Sequence, residues 1–319
     1  MKKLLALGVA AALILGFWFI QGWNAAGPAR QEVAVVIPRG ASLPRAAALL
    51  EEAGAISSSS RFLVQAKLFG HGRGIKAGEY AIPAGASDAK ILWMLENGKT
   101  LQRFVAVPEG LPSILVWERL SSAPALTGDV PVPEDGSILP DSYAYQRGDS
   151  RAAVLKRMQA AMAKTLDKLW AARAPDAAVK DKREALILAS IVEKETGKPS
   201  ERPMVAGVYS NRLRQGMKLD ADPTVIYPVT RGKPLGRRIL ESELHADNGY
   251  NTYVRSGLPA GPIANPGRES IAAVLHPART QALYFVADGT GGHVFAATLA
   301  EQNANVEKWR ALRRARGEM

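Results

Sequence analysis

The chain is expected to be an α+β protein. Three observations lead there: apolar residues at helical spacing between 151 and 213, short strand candidates separated by turn residues beyond Gly216, and a strand–turn–helix unit that recurs in the first third. Helices followed by short strands within one stretch indicate α+β architecture. At 319 residues the chain is long enough for one large domain or two medium ones, each with its own core.

The elements follow in order. Met1-Lys2-Lys3 precedes an uncharged apolar run from Leu4 to Ile20, closed by Gln21-Gly22-Trp23. As a helix the run spans roughly 26 Å, enough to cross a bilayer with interfacial help from Trp18 and Trp23. A cleaved signal peptide is the competing reading, but Trp23 to Pro28 offers a poor small-x-small cleavage site. An uncleaved anchor over 1–23 is therefore expected. Lys2 and Lys3 stay cytoplasmic, and everything after residue 24 lies outside in a single-pass topology.

A linker (24–32) leads into a module placed at 33–112. There Val36-Ile37-Pro38-Arg39-Gly40-Ala41-Ser42 precedes an apolar-periodic segment ending at Gly54. Ala81-Ile82-Pro83-Ala84-Gly85-Ala86-Ser87 precedes another ending at Gly98, and a weaker copy starts at Ala106-Val107-Pro108-Glu109-Gly110. Each copy predicts a strand, a Pro-x-Gly turn, a helix capped by Ser where present, and a glycine stop. Such units suit either a plain α+β module or a lysin-motif-like glycan-binding one; turn chemistry does not choose.

The Pro, Gly and Ser content between Leu111 and Gln146 marks the junction, and the larger domain is placed at 113–319. Its first helix is expected over Arg151 to Ala172, with Val154, Leu155, Met158, Met162, Leu166 and Trp170 as core. A second runs from Asp181 to Thr196 with Gly197 as its cap, and a third begins at Ser200 and carries Val205, Val208, Tyr209 and Leu213. Strands are expected at Thr224–Tyr227, Asn251–Val254, Ala282–Ala287 and Val294–Ala296.

Composition narrows the chemistry. Cysteine is absent, which excludes disulfides, thiol nucleophiles and thiolate metal sites. The four histidines show no ligand spacing, so no metal is expected. There is no Gly-x-Ser-x-Gly elbow and no phosphate-binding Gly-x-x-x-x-Gly-Lys motif, and no cofactor is expected. The net charge of +11 favours an anionic partner, but a body outside the membrane argues against nucleic acid. The basic cluster from Lys308 to Arg316 is read as a solvated helical tail.

What remains is Ala189-Ser190-Ile191-Val192-Glu193-Lys194-Glu195-Thr196. Two residues apart on a helix, Glu193 and Glu195 point about 200° away from each other and do not share a cleft. Three, four and seven residues before Glu195 stand Val192, Ile191 and Leu188; before Glu193 stand Ser190, Ala189 and Leu186. Desolvation by bulky neighbours raises a carboxyl pKa, as a general acid requires, so Glu195 is the candidate acid. Glu193 is left to support it, or to bind a backbone or basic partner. Tyr227, Tyr250 and Tyr253 are candidates for stacking on sugar rings, with Thr224 and Asn251 as hydroxyl and amide partners.

These segments resemble the MltG (YceG-like) family of endolytic murein transglycosylases. The resemblance runs through Ala189–Thr196, Glu201-Arg202, Val208, Asn211-Arg212-Leu213, Asp222–Tyr227, Tyr250–Tyr253, Gly257-Leu258-Pro259, Gly261–Gly267, His276-Pro277, Tyr284–Gly289 and Gly291–Phe295. The anchor, the Ile-Pro-x-Gly module and Leu139-Pro140-Asp141-Ser142-Tyr143 extend it to nearly the whole chain. Ala260 and Gly197-Lys198-Pro199 depart from the pattern, away from any residue assigned chemistry here.

The resemblance implies cleavage of MurNAc–GlcNAc bonds within peptidoglycan glycan strands, leaving 1,6-anhydroMurNAc ends and terminating glycan elongation during wall synthesis. It makes Glu195 catalytic, with Glu193, Asn211, Thr224, Tyr227, Asn251 and Tyr253 as candidate substrate contacts. Implied partners are the glycan strand, the cytoplasmic (inner) membrane through residues 4–23, and peptidoglycan synthases. The catalytic domain would then be periplasmic. An internal 6-hydroxyl nucleophile removes the need for the second carboxylate of ordinary glycosidases. A lysozyme-like hydrolase and a non-catalytic glycan-binding scaffold are the alternatives.

Overall fold

The structure, a computed structural model, describes residues 16, 17 and 19–318. The expected anchor at 1–23 lies mostly outside the described residues. Residues 19–24 are helical, and among the described residues no helix is long and apolar enough to cross a membrane.

The chain forms two compact units. One comprises residues 1–103 and 144–148, the other 104–143 and 149–319. In the first unit β1 (Val33–Ile37) pairs antiparallel with β2 (Gly78–Ile82), Val35 opposite Tyr80. Strand alternation sends Val35 and Ile37 inward and leaves Val36 exposed. Helices α1 (Leu43–Glu52), α2 (Ser59–Phe69) and α3 (Asp88–Asn97) belong to the same unit. Its core gathers Leu50, Phe62, Tyr80, Ile82, Ile91 and Leu95.

The recurring turn is real. Ala41, Ala86 and Leu111 each donate a backbone N–H to the carbonyl of the proline three residues earlier. Gly40, Gly85 and Gly110 take positive φ angles of 77°, 64° and 71°, the conformation for which glycine is favoured. Ser42 and Ser87 cap α1 and α3, and Gly98 ends α3 in the left-handed conformation. Helix α2 falls where the sequence marks no element; Ser58 caps it and Phe62 anchors it.

Strands β3 (Arg103–Ala106) and β4 (Ser142–Tyr145) occur where the chain passes between the units. The third Pro-x-Gly turn belongs to the second unit and leads into α4 (Ser113–Ser122). There follow α5 (Arg151–Ala171), α6 (Lys182–Glu195), a short 3-10 turn (Pro199–Glu201) and α7 (Arg202–Arg214). Next come α8 (Asp222–Thr230), α9 (Glu241–Leu244) and α10 (Arg268–Leu275). Hairpin β5 (Tyr284–Ala287) and β6 (His293–Ala296) precedes α11 (Leu299–Ala315). The apolar sides of α5, α6, α7 and α10 enclose Leu188, Ile191, Val205, Tyr209, Ile271 and Val274.

Two expected strands are corrected. Thr224–Tyr227 lies in helix α8, and Asn251–Val254 is a turn. Pro223 sits in the first helical turn, where its missing N–H is harmless, and Asp222 faces the positive end of the helix. Tertiary burial of Thr224 and Val225 then overrides their β propensity. Gly197 does not cap α6: Thr196 is already extended, and Pro199 bars the segment from continuing as helix.

Candidate functional site

Helix α6 is started firmly and stopped abruptly. The Asp181 carboxylate accepts from the Glu184 N–H at 2.8 Å, and Glu184 accepts from the Lys180 N–H at 2.7 Å. Residues 187–192 are buried without a gap, so the helix runs through the middle of its core and delivers Glu193 and Glu195 at the end.

The two glutamates part there, as helical geometry requires. The Glu193 side chain is only 5% exposed; it accepts from Arg202 Nη2 at 3.0 Å and from the Gly267 N–H at 2.8 Å. Arg202 also donates to Glu109 at 2.7 Å, which brings the third Pro-x-Gly turn onto α6. Gly267 lies against the Glu109 carboxylate, and a Cβ there would require the Glu109 side chain to move. This face of α6 is structural. Ser190 continues it by accepting from the Ile263 N–H at 3.0 Å.

Glu195 points instead into a cavity of about 180 Å3 lined by Tyr209, Arg212, Leu219, Asp220, Asp222, Tyr253 and Phe285. Tyr209, from α7, donates its hydroxyl to Glu195 Oε1 at 2.9 Å. Phe285, from β5, packs edge-on against Tyr209 at 5.8 Å between ring centres. Burial pushes the Glu195 carboxyl up to about 7; the Tyr209 hydrogen bond opposes the rise and the Asp222 charge adds to it. An acid so placed is divided between its protonated and ionised forms near neutral pH.

Arg212 fixes the far wall. Its guanidinium donates to the carbonyls of Lys218, Leu219 and Leu283 and to Asp220 Oδ2 at 2.9 Å. That clamp holds Asp220 at a positive φ of 52° and aims the start of α8 at the cavity. Tyr253 donates its hydroxyl to Asp222 Oδ1 at 2.6 Å.

Of the residues singled out from sequence, the structure brings only Glu195 and Tyr253 together in this cavity. Glu193 is held as described. Asn211 donates to the carbonyls of Thr280 and Ala282. Asn251, 1% exposed, donates to the carbonyls of Glu243, Leu244 and Ala246. Thr224 is fully buried against Ala221 and Thr252. In these positions the polar side chains of Glu193, Asn211, Thr224 and Asn251 are engaged with internal partners. Tyr227 and Tyr250 form a tilted pair 4.8 Å apart that lines a separate cavity of about 660 Å3.

Sequence reasoning missed Tyr209, Arg212, Asp220, Asp222 and Phe285 as parts of this site. Tyr209 looked like one more apolar position of its helix. Asp222 had a local signal, an acidic residue followed by proline at a helix start, hidden by the strand assignment.

Comparison with known proteins identifies the family to which the chain belongs. The family model described as YceG-like matches residues 35–308. An endolytic murein transglycosylase of Bacillus subtilis (strain 168) is 29% identical, the alignment covering 93% of this chain and 91% of the relative. An endolytic murein transglycosylase of Streptococcus pneumoniae serotype 2 (strain D39 / NCTC 7466) is 26% identical over 86% of this chain, which spans 57% of that longer relative. A crystal structure of a yceG-like protein from Listeria monocytogenes superposes with a TM-score of 0.52 at 27% identity, covering 86% of this chain and 99% of that one. With the family model matching most of its length, the chain belongs to the YceG-like family.

Proposed function

We propose that this chain is an endolytic lytic transglycosylase of peptidoglycan, with Glu195 as its acid and base. The observation that carries the reading is a single enclosed glutamate, raised to about 7 by burial, at the end of a helix and open to a polar cavity. Two curated relatives named endolytic murein transglycosylase support the substrate and the reaction class.

In the first step protonated Glu195 gives its proton to the glycosidic oxygen as the bond from that oxygen to the MurNAc anomeric carbon breaks. The MurNAc 6-hydroxyl then bonds to the anomeric carbon, and its proton passes to the Glu195 carboxylate. The acid is restored and no water is consumed. The Tyr209 hydroxyl, bonded to Glu195 Oε1, orients the carboxyl group through both steps.

Glu195→Gln is expected to fold normally and bind glycan, yet release no 1,6-anhydro ends from purified peptidoglycan in mass spectrometry. Retained anhydro product would remove Glu195 from the acid role. A lysozyme-like hydrolase is the second reading, favoured by the additional carboxylate of Asp222 in the cavity. Its products would be one water heavier, so the same spectrum separates the two.

The wider setting belongs to the same proposal. An anchor over residues 1–23 would hold the protein in the cytoplasmic membrane, with its body on the outer side. The 33–112 segment would be a lysin-motif-like module preceding a catalytic domain at 113–319. Cleavage beside peptidoglycan synthases would end the elongation of new strands. The apolar run supports the anchor, and the recurrent Pro-x-Gly units support the module.

A further inference from the structure

The Glu195 cavity contains two more carboxylates, and they differ in their partners. Asp220 is paired with Arg212 at 2.9 Å. Asp222 forms no ion pair among the described residues; the hydrogen bond it accepts comes from the neutral Tyr253 hydroxyl, at 2.6 Å. It occupies the first turn of α8, where exposed backbone N–H groups give the helix a positive end. Glu195 occupies the last turn of α6, at the negative end of that helix. Two carboxylates thus meet in one cavity, each at the helix end that suits a different state: a charged group at one, a proton donor at the other.

We propose that Asp222 is the second carboxylate of the reaction, held by Tyr253 so that its charge stabilises the cationic sugar ring formed as the glycosidic bond breaks. This rests on the reading of the cavity as the glycosidic site. Asp222 forms no bond and moves no proton. The positive charge appears at the anomeric carbon and ring oxygen, and an anion already fixed nearby needs no reorganisation when it does. The same anion disfavours the charged form of Glu195 and so keeps it supplied with its proton. Besides Asp222, the titratable and charged groups facing Glu195 are Tyr209 from α7, Arg212 with Asp220, and Tyr253. Asp222 is the anion among them without a cationic partner.

The ordinary alternative is that Asp222 serves only to start α8. The two roles separate by kinetics on the full chain with purified peptidoglycan. Asp222→Asn preserves shape and removes charge. It is expected to lower kcat about 100-fold, as loss of a preorganised charge-stabilising group does, with KM changed less than about threefold. It should also move the alkaline limb of the pH–rate profile to lower pH, because Glu195 loses an anionic neighbour. Asp222→Glu should recover part of kcat and return the limb. A purely structural role would lower the unfolding midpoint but leave the limb where it is.

Wild-type kcat in Asp222→Asn, or a reduced kcat with an unmoved limb, overturns the proposal. Should that variant fail to fold, Tyr253→Phe takes its place. It frees the carboxylate and is expected to reduce kcat about tenfold, the worth of one charge-assisted hydrogen bond. No reduction overturns the proposal. Failure of the acid assignment shows separately, as retained anhydro product in Glu195→Gln.

Discussion

A carboxyl group can donate a proton near neutral pH only if its charged form is disfavoured. Glu195 meets that condition mainly through other elements. Ile191, Val192 and Leu188 of its own helix turn into the core, while Tyr209, Tyr253 and Phe285 enclose the carboxyl group. Because the acid must be protonated, activity should fall as pH rises through about 7, the value to which burial lifts Glu195. The Tyr209 hydrogen bond favours the carboxylate, so Tyr209→Phe should raise the Glu195 pKa further and shift the alkaline limb to higher pH. This is opposite to the shift expected from Asp222→Asn. A limb moving the same way in both variants would contradict the assigned contacts.

At the scale of elements, α6 supports two separate tasks on two faces. One face ends in Glu195. The other ends in Glu193, whose buried pair with Arg202 holds the 263–267 loop and the turn at Glu109 against the helix. Glu193→Ala would leave the Arg202 guanidinium buried with only the more exposed Glu109 as partner, and is expected to destabilise the second unit by about 3 kcal/mol. Denaturant unfolding checks this; a loss under about 1 kcal/mol would place the pair with ordinary surface ion pairs. Helix α8 shows how an element can mislead. Thr224, Val225, Ile226 and Tyr227 carry strand propensity, but Pro223 opens a helix and the core accepts Thr224 and Val225 from it. That reversal places Asp222 at a helix start, facing Glu195 across the cavity.

At the scale of the whole molecule, each compact unit has an apolar core of its own among the described residues. Cores that share no residues are expected to melt as separate cooperative units. Calorimetry should resolve two transitions. Phe62→Ala should lower only one and Ile271→Ala only the other, each by about 3 kcal/mol for a deleted buried side chain. One transition displaced equally by both substitutions would show that the units unfold together.

Much was determined by sequence alone, because it depends on neighbours along the chain. Periodicity located α5, α6 and α7, the Pro-x-Gly spacing located the repeated turns with their left-handed glycines, and the two-residue interval separated Glu193 from Glu195. The tertiary structure decided which groups surround Glu195. Tyr209 is fourteen residues away along the chain, and Asp222, Tyr253 and Phe285 are further still. No local period links such positions. They meet because α7, α8, the 250–253 turn and β5 pack around the end of α6, and because Arg212 clamps the chain at 218–220. The second carboxylate was present in the sequence, but only the fold brings it to the first.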